Sequence, residues 1–256
     1  MVALVDGWTI GSPVRPERKG GDVTIESVQA ALGVLKAVAG NPGVGLSELA
    51  RVSGVKKSRT YRILLTLEEE GFVVQSEDKG YQLGLQAMII GQHARQGTGL
   101  VRAAEERIAE LAEEFDENIQ IRVRDGAENV QVFSRKSNQR LRVISSQRNR
   151  RPLGVGASGR LLLAHMTPEE IVASGYKGKL LEESLRSQIL AQGYSDSSGE
   201  LTAGVEAVAV PIFSVEGRCI ACLSASVPTA RMSIPYKESL IEGLRGIAGS
   251  LAGDSY

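Results

Sequence analysis

Residues 56–83 have the sequence KKSRTYRILLTLEEEGFVVQSEDKGYQL, which carries the most specific structural pattern in the chain. Apolar residues spaced three and four apart predict a helix over residues 56–70, and Gly71 ends it as a C-cap glycine. Two short apolar runs, residues 72–74 and 81–83, flank a polar turn and predict a two-stranded hairpin. The segment therefore predicts one helix and one small hairpin in direct succession.

Two more helices are predicted upstream of this segment. Apolar residues recur with helical spacing from Val28 to Ala39, and the breaker sequence at residues 40–43 ends that helix. A short helix follows with Ser47 as its predicted N-cap, and the turn at residues 53–54 leads into the next helix. Helix, short helix, turn, helix and hairpin is the order of a winged helix-turn-helix, which we place at residues 23–84.

The helix over residues 56–70 has two chemically different sides at 100° per residue. The apolar side comprises Thr60, Ile63, Leu64 and Leu67. We expect it to pack on Leu32, Leu35 and Leu49 of the preceding helices. The other side is free to enter a groove of DNA. Together with flanking positions it gives the predicted DNA-contacting residues: Ser47, Lys56, Lys57, Ser58, Arg59, Tyr61, Arg62, Thr66 and Lys79.

The charge around this helix favours DNA although the chain as a whole is neutral. The chain has 30 basic and 30 acidic residues, but five basic residues and no acid lie between Arg51 and Arg62. Local positive charge attracts phosphate, and Arg and Ser at a helix start reach base edges in the major groove. The alternative is a solvated basic face on an ordinary helical hairpin.

The second half of the chain mixes strands with helices. Residues 84–115 are predicted to be helical with an interruption near Gly97 and Gly99, and we assign residues 85–115 to a helical linker. Strands and helices together with a hairpin indicate an α+β domain around an antiparallel sheet, at residues 116–256. Its strands are predicted at residues 119–124, 130–135, 141–145, 206–214 and 219–226, and its helices at 161–165, 180–192 and 236–252, with a further helical stretch opening at Pro168.

Two segments of this domain are candidates for binding a small molecule. The glycine-rich turn at residues 154–159 precedes a helix with Ser158 as its predicted N-cap, and free amides at a helix start favour a carboxylate or phosphate. Along the strand at residues 219–226, Cys222, Ser224 and Ser226 share one face and can line a polar pocket. The alternatives are a plain tight connection for the turn, and small residues beneath a packed helix for the strand.

Catalytic and metal-binding patterns are weak. Cys219 and Cys222 are three apart in a predicted strand, so we expect them on opposite faces, unable to share a metal or a disulfide. His93 and His165 lie in unrelated segments, and residues 156–159 lack the Gly-x-Ser-x-Gly pattern of hydrolases. We therefore predict no catalytic residues, no metal and no cofactor, with a hydrolase as an alternative.

The overall composition predicts a folded cytoplasmic protein. Hydrophobic residues make up 42% of the 256, no apolar run reaches the length of a membrane span, and no secretory signal is present. Residues 1–22 have no periodicity and are predicted to be a disordered tail. The basic run at residues 135–151 has three possible roles: guiding an anionic effector, contacting DNA flanks, or forming a solvated loop.

The sequence resembles the IclR family of bacterial transcription regulators in both halves. In the first half the resemblance lies in residues 27–32, 46–50, 57–67, 71–73 and 81–84; in the second it lies in residues 152–164, 193–194, 199–200, 204–205, 209–211 and 223–231. It covers about residues 24–252. Two departures stand out: Arg59-Thr60 replaces Thr-Val in the recognition helix, and residues 155–158 replace a His-Ala or His-Thr-Ala turn.

The resemblance implies a ligand-responsive regulator. It implies a homodimer or a dimer of dimers on a near-palindromic DNA operator, an effector domain related to GAF and PAS modules, and small organic or aromatic acids as effectors. With the residues selected above, the predicted effector-binding positions are Gly156, Ala157, Ser158, Ser197, Val205, Ala207, Cys222, Ser224 and Ser226. We predict repression of genes of organic-acid or aromatic-compound metabolism; the alternative is a signalling protein that binds a small molecule without binding an operator.

Overall fold

The computed structural model describes residues 24–97, 99–139, 142–143 and 150–251. These residues form two compact units that divide at residues 97–98. We refer to residues 24–97 as the N-terminal unit and to the described residues from 99 to 251 as the C-terminal unit. The predicted tail at residues 1–22 lies outside the described residues.

The N-terminal unit is a small helical domain with one hairpin. Its elements are helices α1 (Glu26–Gly40), α2 (Leu46–Ser53) and α3 (Lys57–Glu69), strands β1 (Val73–Gln75) and β2 (Tyr81–Leu83), and helix α4 (Leu85–Gly97). The core is formed by seven buried residues: Val34, Ala37, Val38, Leu49, Leu64, Val73 and Tyr81. This order confirms the predicted winged helix-turn-helix.

The wing packs tightly on the loop between α1 and α2. Strands β1 and β2 pair antiparallel, with Val74 opposite Gln82. Tyr81 also bridges Val44, so the hairpin is tied to the preceding helices. A Cβ atom on Gly80 would clash with the carbonyl oxygen of Gly43, so only glycine fits at this close approach.

The C-terminal unit is built on a six-stranded antiparallel sheet with the order β5-β4-β3-β8-β7-β6. Its strands are β3 (Asn118–Asp125), β4 (Glu128–Arg135), β5 (Arg150–Pro152), β6 (Ser195–Ser198), β7 (Val205–Phe213) and β8 (Cys219–Pro228). Its helices are α5 (Gly99–Phe115), α6 (Gly156–Ala164), α7 (Pro168–Ser174), α8 (Glu183–Gln192) and α9 (Ile234–Leu251), with a 3-10 turn at Thr229–Arg231. The α+β class is confirmed.

Helices cover both faces of this sheet. On one face, α5 and α9 pack on apolar strand residues such as Ile119, Ile121 and Leu223. On the other face, α6 and α8 pack on a second cluster that includes Ala209 and Cys222. Side chains alternate between these faces along each strand. The polar residues of β3 therefore point to the α6 side.

Some local predictions were wrong. Helix α2 starts at Leu46 after Gly45, so Ser47 lies inside the first turn and is not the N-cap. Helix α6 starts at Gly156 after Val155, so Ser158 is not an N-cap either. Leu32 is 51% exposed and does not join the core, whereas Leu49 is fully buried. The apolar residues of α1 therefore extend beyond the side of the helix that packs in the core of the N-terminal unit.

The third predicted strand, residues 141–145, is described only at Arg142 and Val143. Arg142 and Val143 are not in a strand, and the rest of that segment lies outside the described residues. Instead, the sheet gains two short strands, β5 and β6, that the sequence analysis missed. Both are edge strands of only three or four residues, which is too short for a period of two to be recognised.

The predicted linker at residues 85–115 is divided between the two units. Helix α4 belongs to the N-terminal unit, whereas α5 packs against α9 and the sheet of the C-terminal unit. Ile108 and Leu111 of α5 are buried in that core. The apolar side of α5 is thus covered within its own unit.

Candidate functional site

Helix α3 presents a polar side to solvent and an apolar side to the core, as its sequence predicts. Leu64 is fully buried, and Ile63 and Leu67 pack against the same core. Thr60 is also fully buried, and its hydroxyl donates to the carbonyl oxygens of Val55 (3.1 Å) and Lys56 (3.2 Å). A buried hydroxyl with acceptors is tolerated in a core. This explains how threonine occupies an apolar position.

The polar side holds most of the predicted DNA-contacting residues. All of the following are exposed: Ser47, Lys56, Lys57, Ser58, Tyr61, Arg62, Thr66 and Lys79. Lys79 lies in the turn of the wing with a positive φ of 59°. The exposed basic side chains can reach phosphates or base edges without any loss of core packing.

Arg59 is the exception, because it is already engaged. Its guanidinium forms an ion pair with Glu26 at the start of α1, and its side chain is 42% exposed. The hydrogen bond from Arg59, together with its charge, lowers the pKa of the Glu26 carboxyl. The sequence analysis treated Arg59 as freely exposed; the structure gives it a carboxylate partner 33 positions away in the chain.

A second site is a cavity in the C-terminal unit, between the sheet and the start of α6. It has about 300 Å³ of empty volume, including space open to solvent. Its lining residues come from every strand of the sheet, the start of α6 and the β6–β7 loop: Gln120, Arg122, Asn129, Arg151, Val155, Gly156, Ala157, Ser158, Gly159, Ser197, Leu201, Ala207, Ser224 and Ser226.

Most of the predicted effector-binding residues line this cavity. They are Gly156, Ala157, Ser158, Ser197, Ala207, Ser224 and Ser226. Val205 and Cys222 do not line it. Cys222 is fully buried next to the cavity, within hydrogen-bonding reach of the Ser158 hydroxyl.

A buried arginine, which the sequence analysis missed, forms part of the cavity wall. Arg122 is 1% exposed, and its guanidinium donates to the side-chain oxygens of Asn129 and Gln120 and to the Asn129 carbonyl oxygen (3.3 Å). Asn129 in turn donates to the carbonyl oxygens of Arg151 (3.0 Å) and Pro152 (3.1 Å). These bonds fix the guanidinium at the cavity.

Arg122 keeps its positive charge at neutral pH. Burial, and to a smaller extent the charge of Arg151, lower the pKa of its guanidinium to about 10. A pKa of about 10 still leaves the group protonated at pH 7. The cavity wall thus carries two arginines, Arg122 and Arg151.

The serines of β8 connect to the same polar network. Ser224 is fully buried and donates to the backbone oxygen of Gln120 at 3.4 Å. The Gln120 side-chain amide donates to the Ser226 hydroxyl at 3.3 Å. The sequence did contain a signal for this wall: residues 118–123 alternate between polar and apolar side chains, and Gln120 and Arg122 fall on the face of Ser224 and Ser226.

The first two amides of α6, those of Gly156 and Ala157, are not free, contrary to expectation. The Gly156 N–H donates to a carboxylate oxygen of Glu200 at 2.8 Å, and the Ala157 N–H donates to the Ser197 hydroxyl at 3.2 Å. Glu200 also forms an ion pair with Arg160. The protein itself thus supplies the anion that a helix N-terminus attracts.

The two cysteines lie on the same face of β8, not on opposite faces. A bulge opposite Ile212 and Phe213 adds one residue to β8 between Cys219 and Ala221, and both thiols join the cluster beneath α6. Both cysteines are free, and burial raises the pKa of Cys219 to about 12 and of Cys222 to about 11. Buried thiols of this kind are unreactive.

The described residues contain neither a metal-binding cluster nor a membrane-spanning helix. Within them, no three His, Cys, Asp or Glu side chains come together in a group that could hold a metal ion. None of the helices described is both long enough and apolar enough to span a bilayer.

The two units define a class of protein. A winged helix-turn-helix with an exposed basic helix, joined in one chain to an α+β domain with a polar cavity, is a DNA-binding transcription regulator that responds to a ligand. The chain belongs to the IclR family of bacterial transcription regulators. Residues 27–77 match the family model described as "IclR helix-turn-helix domain", and residues 92–252 match "Bacterial transcriptional regulator IclR C-terminal".

Individual relatives agree with this assignment. The chain is 31% identical over 223 residues to the HTH-type transcriptional regulator KdgR of Escherichia coli (strain K12), covering 82% of this chain and 85% of KdgR. It is 30% identical over 226 residues to the HTH-type transcriptional regulator KipR of Bacillus subtilis (strain 168), covering 82% and 90%. Regulators of this family bind DNA operators and typically act as oligomers.

The fold is shared with solved structures. An IclR transcriptional regulator from Alicyclobacillus acidocaldarius superposes with a TM-score of 0.80 at 24% identity, covering 91% of this chain and all of that one. At this identity the comparison shows the common fold.

Proposed function

We propose that the chain is a cytoplasmic repressor of genes for organic-acid or aromatic-compound metabolism, and that it is not an enzyme. In this proposal α3 binds an operator, and a small organic acid in the cavity changes that binding. The observation that carries the proposal is the combination, in one chain, of an exposed basic side on α3 and a cavity lined by two arginines. The assignment of DNA binding to residues 23–84 and of effector binding to the C-terminal unit is part of the same proposal.

DNA retardation separates this function from its competitors. A repressor retards its own operator in preference to other DNA, and its affinity falls steeply with salt because bound phosphates release counterions. A signalling protein without operator binding gives no sequence-selective retardation. A hydrolase consumes the acid that it binds, which chromatography of the ligand after incubation detects.

Exposed apolar side chains on α1 and α4 support a homodimer. Leu32 is 51% exposed and Val28 50% on α1, while Met88 is 63% and Ile90 52% exposed on α4. Exposed apolar surface of this kind marks an interface. A near-palindromic operator also needs two recognition helices related by a two-fold axis. We therefore propose that a second copy covers these residues, alone or within a dimer of dimers.

We expect the double substitution Leu32→Glu and Met88→Glu to convert the dimer to monomer at micromolar concentration. Both side chains are more than half exposed, so the charges disturb the protein's own core little, but they are unfavourable in an apolar interface. Sedimentation velocity measures the result. Val172→Glu, at an 81% exposed residue of α7, is the matched control. A wild-type monomer, or a double variant that remains dimeric, contradicts this interface.

We expect the double substitution Ser224→Ala and Ser226→Ala to weaken effector binding and to leave operator affinity unchanged. The two hydroxyls line the cavity, and each lost hydrogen bond to a ligand costs about 0.5–1.5 kcal/mol. Thermal stabilisation by a panel of organic and aromatic acids, followed by titration with the best acid, measures the loss. Ser184→Ala, at an exposed serine of α8, is the control. Equal stabilisation of wild type and double variant would place the effector elsewhere.

A further inference from the structure

The ion pair between Arg59 and Glu26 joins the first turns of two helices of the N-terminal unit. Glu26 is the first residue of α1, and Arg59 is the third residue of α3. The Glu26 side chain is 83% exposed and the Arg59 side chain 42%, so both can be reached from solvent. Thr60, which follows Arg59, is fully buried and anchors this turn in the core. The pair therefore lies at the N-terminal end of α3, where recognition helices contact base edges.

Glu26 engages only one edge of the Arg59 guanidinium. The Nη1 atom of Arg59 donates to Oε1 of Glu26. Among the described residues, this is the one hydrogen bond that the Arg59 side chain makes. Nε and Nη2 form the other edge of the planar group, so two parallel N–H donors remain for a partner outside the protein. The bond to Glu26 also restricts the rotation of a side chain that is otherwise flexible.

The charge of the pair favours a base over a phosphate as that partner. Glu26 neutralises the charge of Arg59, so the pair attracts a phosphate less than an unpaired cation does. Lys56 and Lys57, which precede Arg59, are exposed and have no acidic partner among the described residues. These two point charges are the better phosphate ligands. A base edge is uncharged, so hydrogen bonds to it do not depend on the net charge of the pair.

The two remaining donors of Arg59 match one base. In the major groove guanine presents two neighbouring acceptors, O6 and N7, and a bidentate arginine is the most frequent specific contact to them. Adenine places a donor beside its N7 acceptor, cytosine presents a donor, and thymine presents one acceptor beside a methyl group. An edge with two parallel donors therefore fits guanine and leaves a donor unpaired on each of the other bases.

We propose that Arg59 reads one guanine of the operator through its Nε and Nη2 atoms, and that Glu26 is a positioning residue that holds this edge toward the base. The inference rests on the proposed function, since it specifies how α3 reads its operator. It gives α1 a part in base specificity, through a residue 33 positions away from the arginine that it orients. The lowered pKa of Glu26 is consistent with a carboxylate that stays charged beside Arg59.

The first experiment identifies the base pair that Arg59 reads. Full-length wild type and Arg59→Ala each select sequences from a random duplex library. We expect a G·C pair that the wild type requires and the variant does not, with discrimination at that pair reduced about tenfold. Replacing this guanine by 7-deazaguanine removes N7 and should weaken wild-type binding about threefold to tenfold. Inosine keeps O6 and N7 and should bind like guanine, and Arg59→Ala should not respond to 7-deazaguanine.

The second experiment tests the positioning role with Glu26→Ala. Removal of a negative charge should leave the affinity for random DNA unchanged or raise it. Discrimination at the same guanine should nevertheless fall, by about threefold, because Arg59 is no longer held in place. In the Arg59→Ala background, Glu26→Ala should change discrimination no further. Glu48→Ala is the matched control, because Glu48 forms a similar exposed ion pair with Arg51 on α2, and we expect its discrimination to equal that of wild type.

The outcomes separate this inference from the proposed function. If the wild type selects no sequence, both fall. If it selects a site, but Arg59→Ala relaxes no G·C pair or the relaxed guanine tolerates the loss of N7, operator binding stands and the guanine contact falls. The positioning role is contradicted if Glu26→Ala keeps full discrimination, weakens all DNA alike, matches Glu48→Ala, or still acts in the absence of Arg59.

Discussion

Alanine at Arg62 or Arg59 is expected to weaken operator binding by about 1–3 kcal/mol each, which is roughly ten- to a hundredfold. Arg62 is exposed on the polar side of α3, and Arg59 lies one turn earlier on the same side. Arginines at these positions can bind base edges in the major groove, so their loss removes specific contacts. The two residues are neighbours on the helix, so their effects need not add.

The fold should survive both substitutions. Arg62 is exposed, and Arg59 loses only its surface ion pair with Glu26, a kind of contact that contributes little to stability. Fluorescence anisotropy with operator DNA at matched salt measures the affinities, and circular dichroism checks the fold. Lys36→Ala removes an exposed charge from α1 as the control. If both arginine variants bind like wild type, α3 is not the recognition helix.

Leu64→Ala is expected to destabilise the N-terminal unit by about 2–5 kcal/mol. Leu64 is fully buried in a core of seven residues, so the cavity left by the lost side chain has few neighbours that can move to fill it. The loss is a large part of the stability of any small domain, which is about 5–15 kcal/mol. We therefore expect operator binding to be lost at a temperature at which the wild type still binds.

The adjacent residue provides the control for this prediction. Leu65 is 40% exposed on the same helix, and alanine there should change stability by only about 0.5 kcal/mol. Denaturant unfolding, followed by circular dichroism, compares the two variants directly. Similar losses for Leu64→Ala and Leu65→Ala would contradict the orientation of α3.

Sequence periodicity correctly predicted the orientation of helices and strands that bury one distinct side. The helical spacing of Thr60 and Leu64 and the alternation from Cys222 to Ser226 both gave the correct side of their element. The prediction failed for Leu32, because an apolar stripe shows what must be buried but not whether the same chain covers it. The prediction for Cys219 failed because a bulge adds one residue and reverses the alternation.

The sequence did not predict the cavity in full, because the cavity depends on contacts between residues that are remote in sequence. The glycine-rich turn indicated a helix start, but its amides are occupied by Ser197 and Glu200, 40 and 44 residues further along the chain. Arg122 falls in a strand that the alternation predicted, yet its role depends on α6 covering that face. Arg151 lies in a three-residue edge strand at the end of a basic run. Positive charge alone does not predict which way its side chain points.

The most direct test of a ligand-responsive operator-binding protein is footprinting of the DNA upstream of its own gene and the neighbouring genes, with and without small organic and aromatic acids. We expect a protected, near-palindromic site whose protection changes when the acid is present, and which the Arg59→Ala and Arg62→Ala variants fail to protect at the same protein concentration. The absence of any protected site in these regions, or protection that neither the acids nor the arginine substitutions alter, would contradict the account.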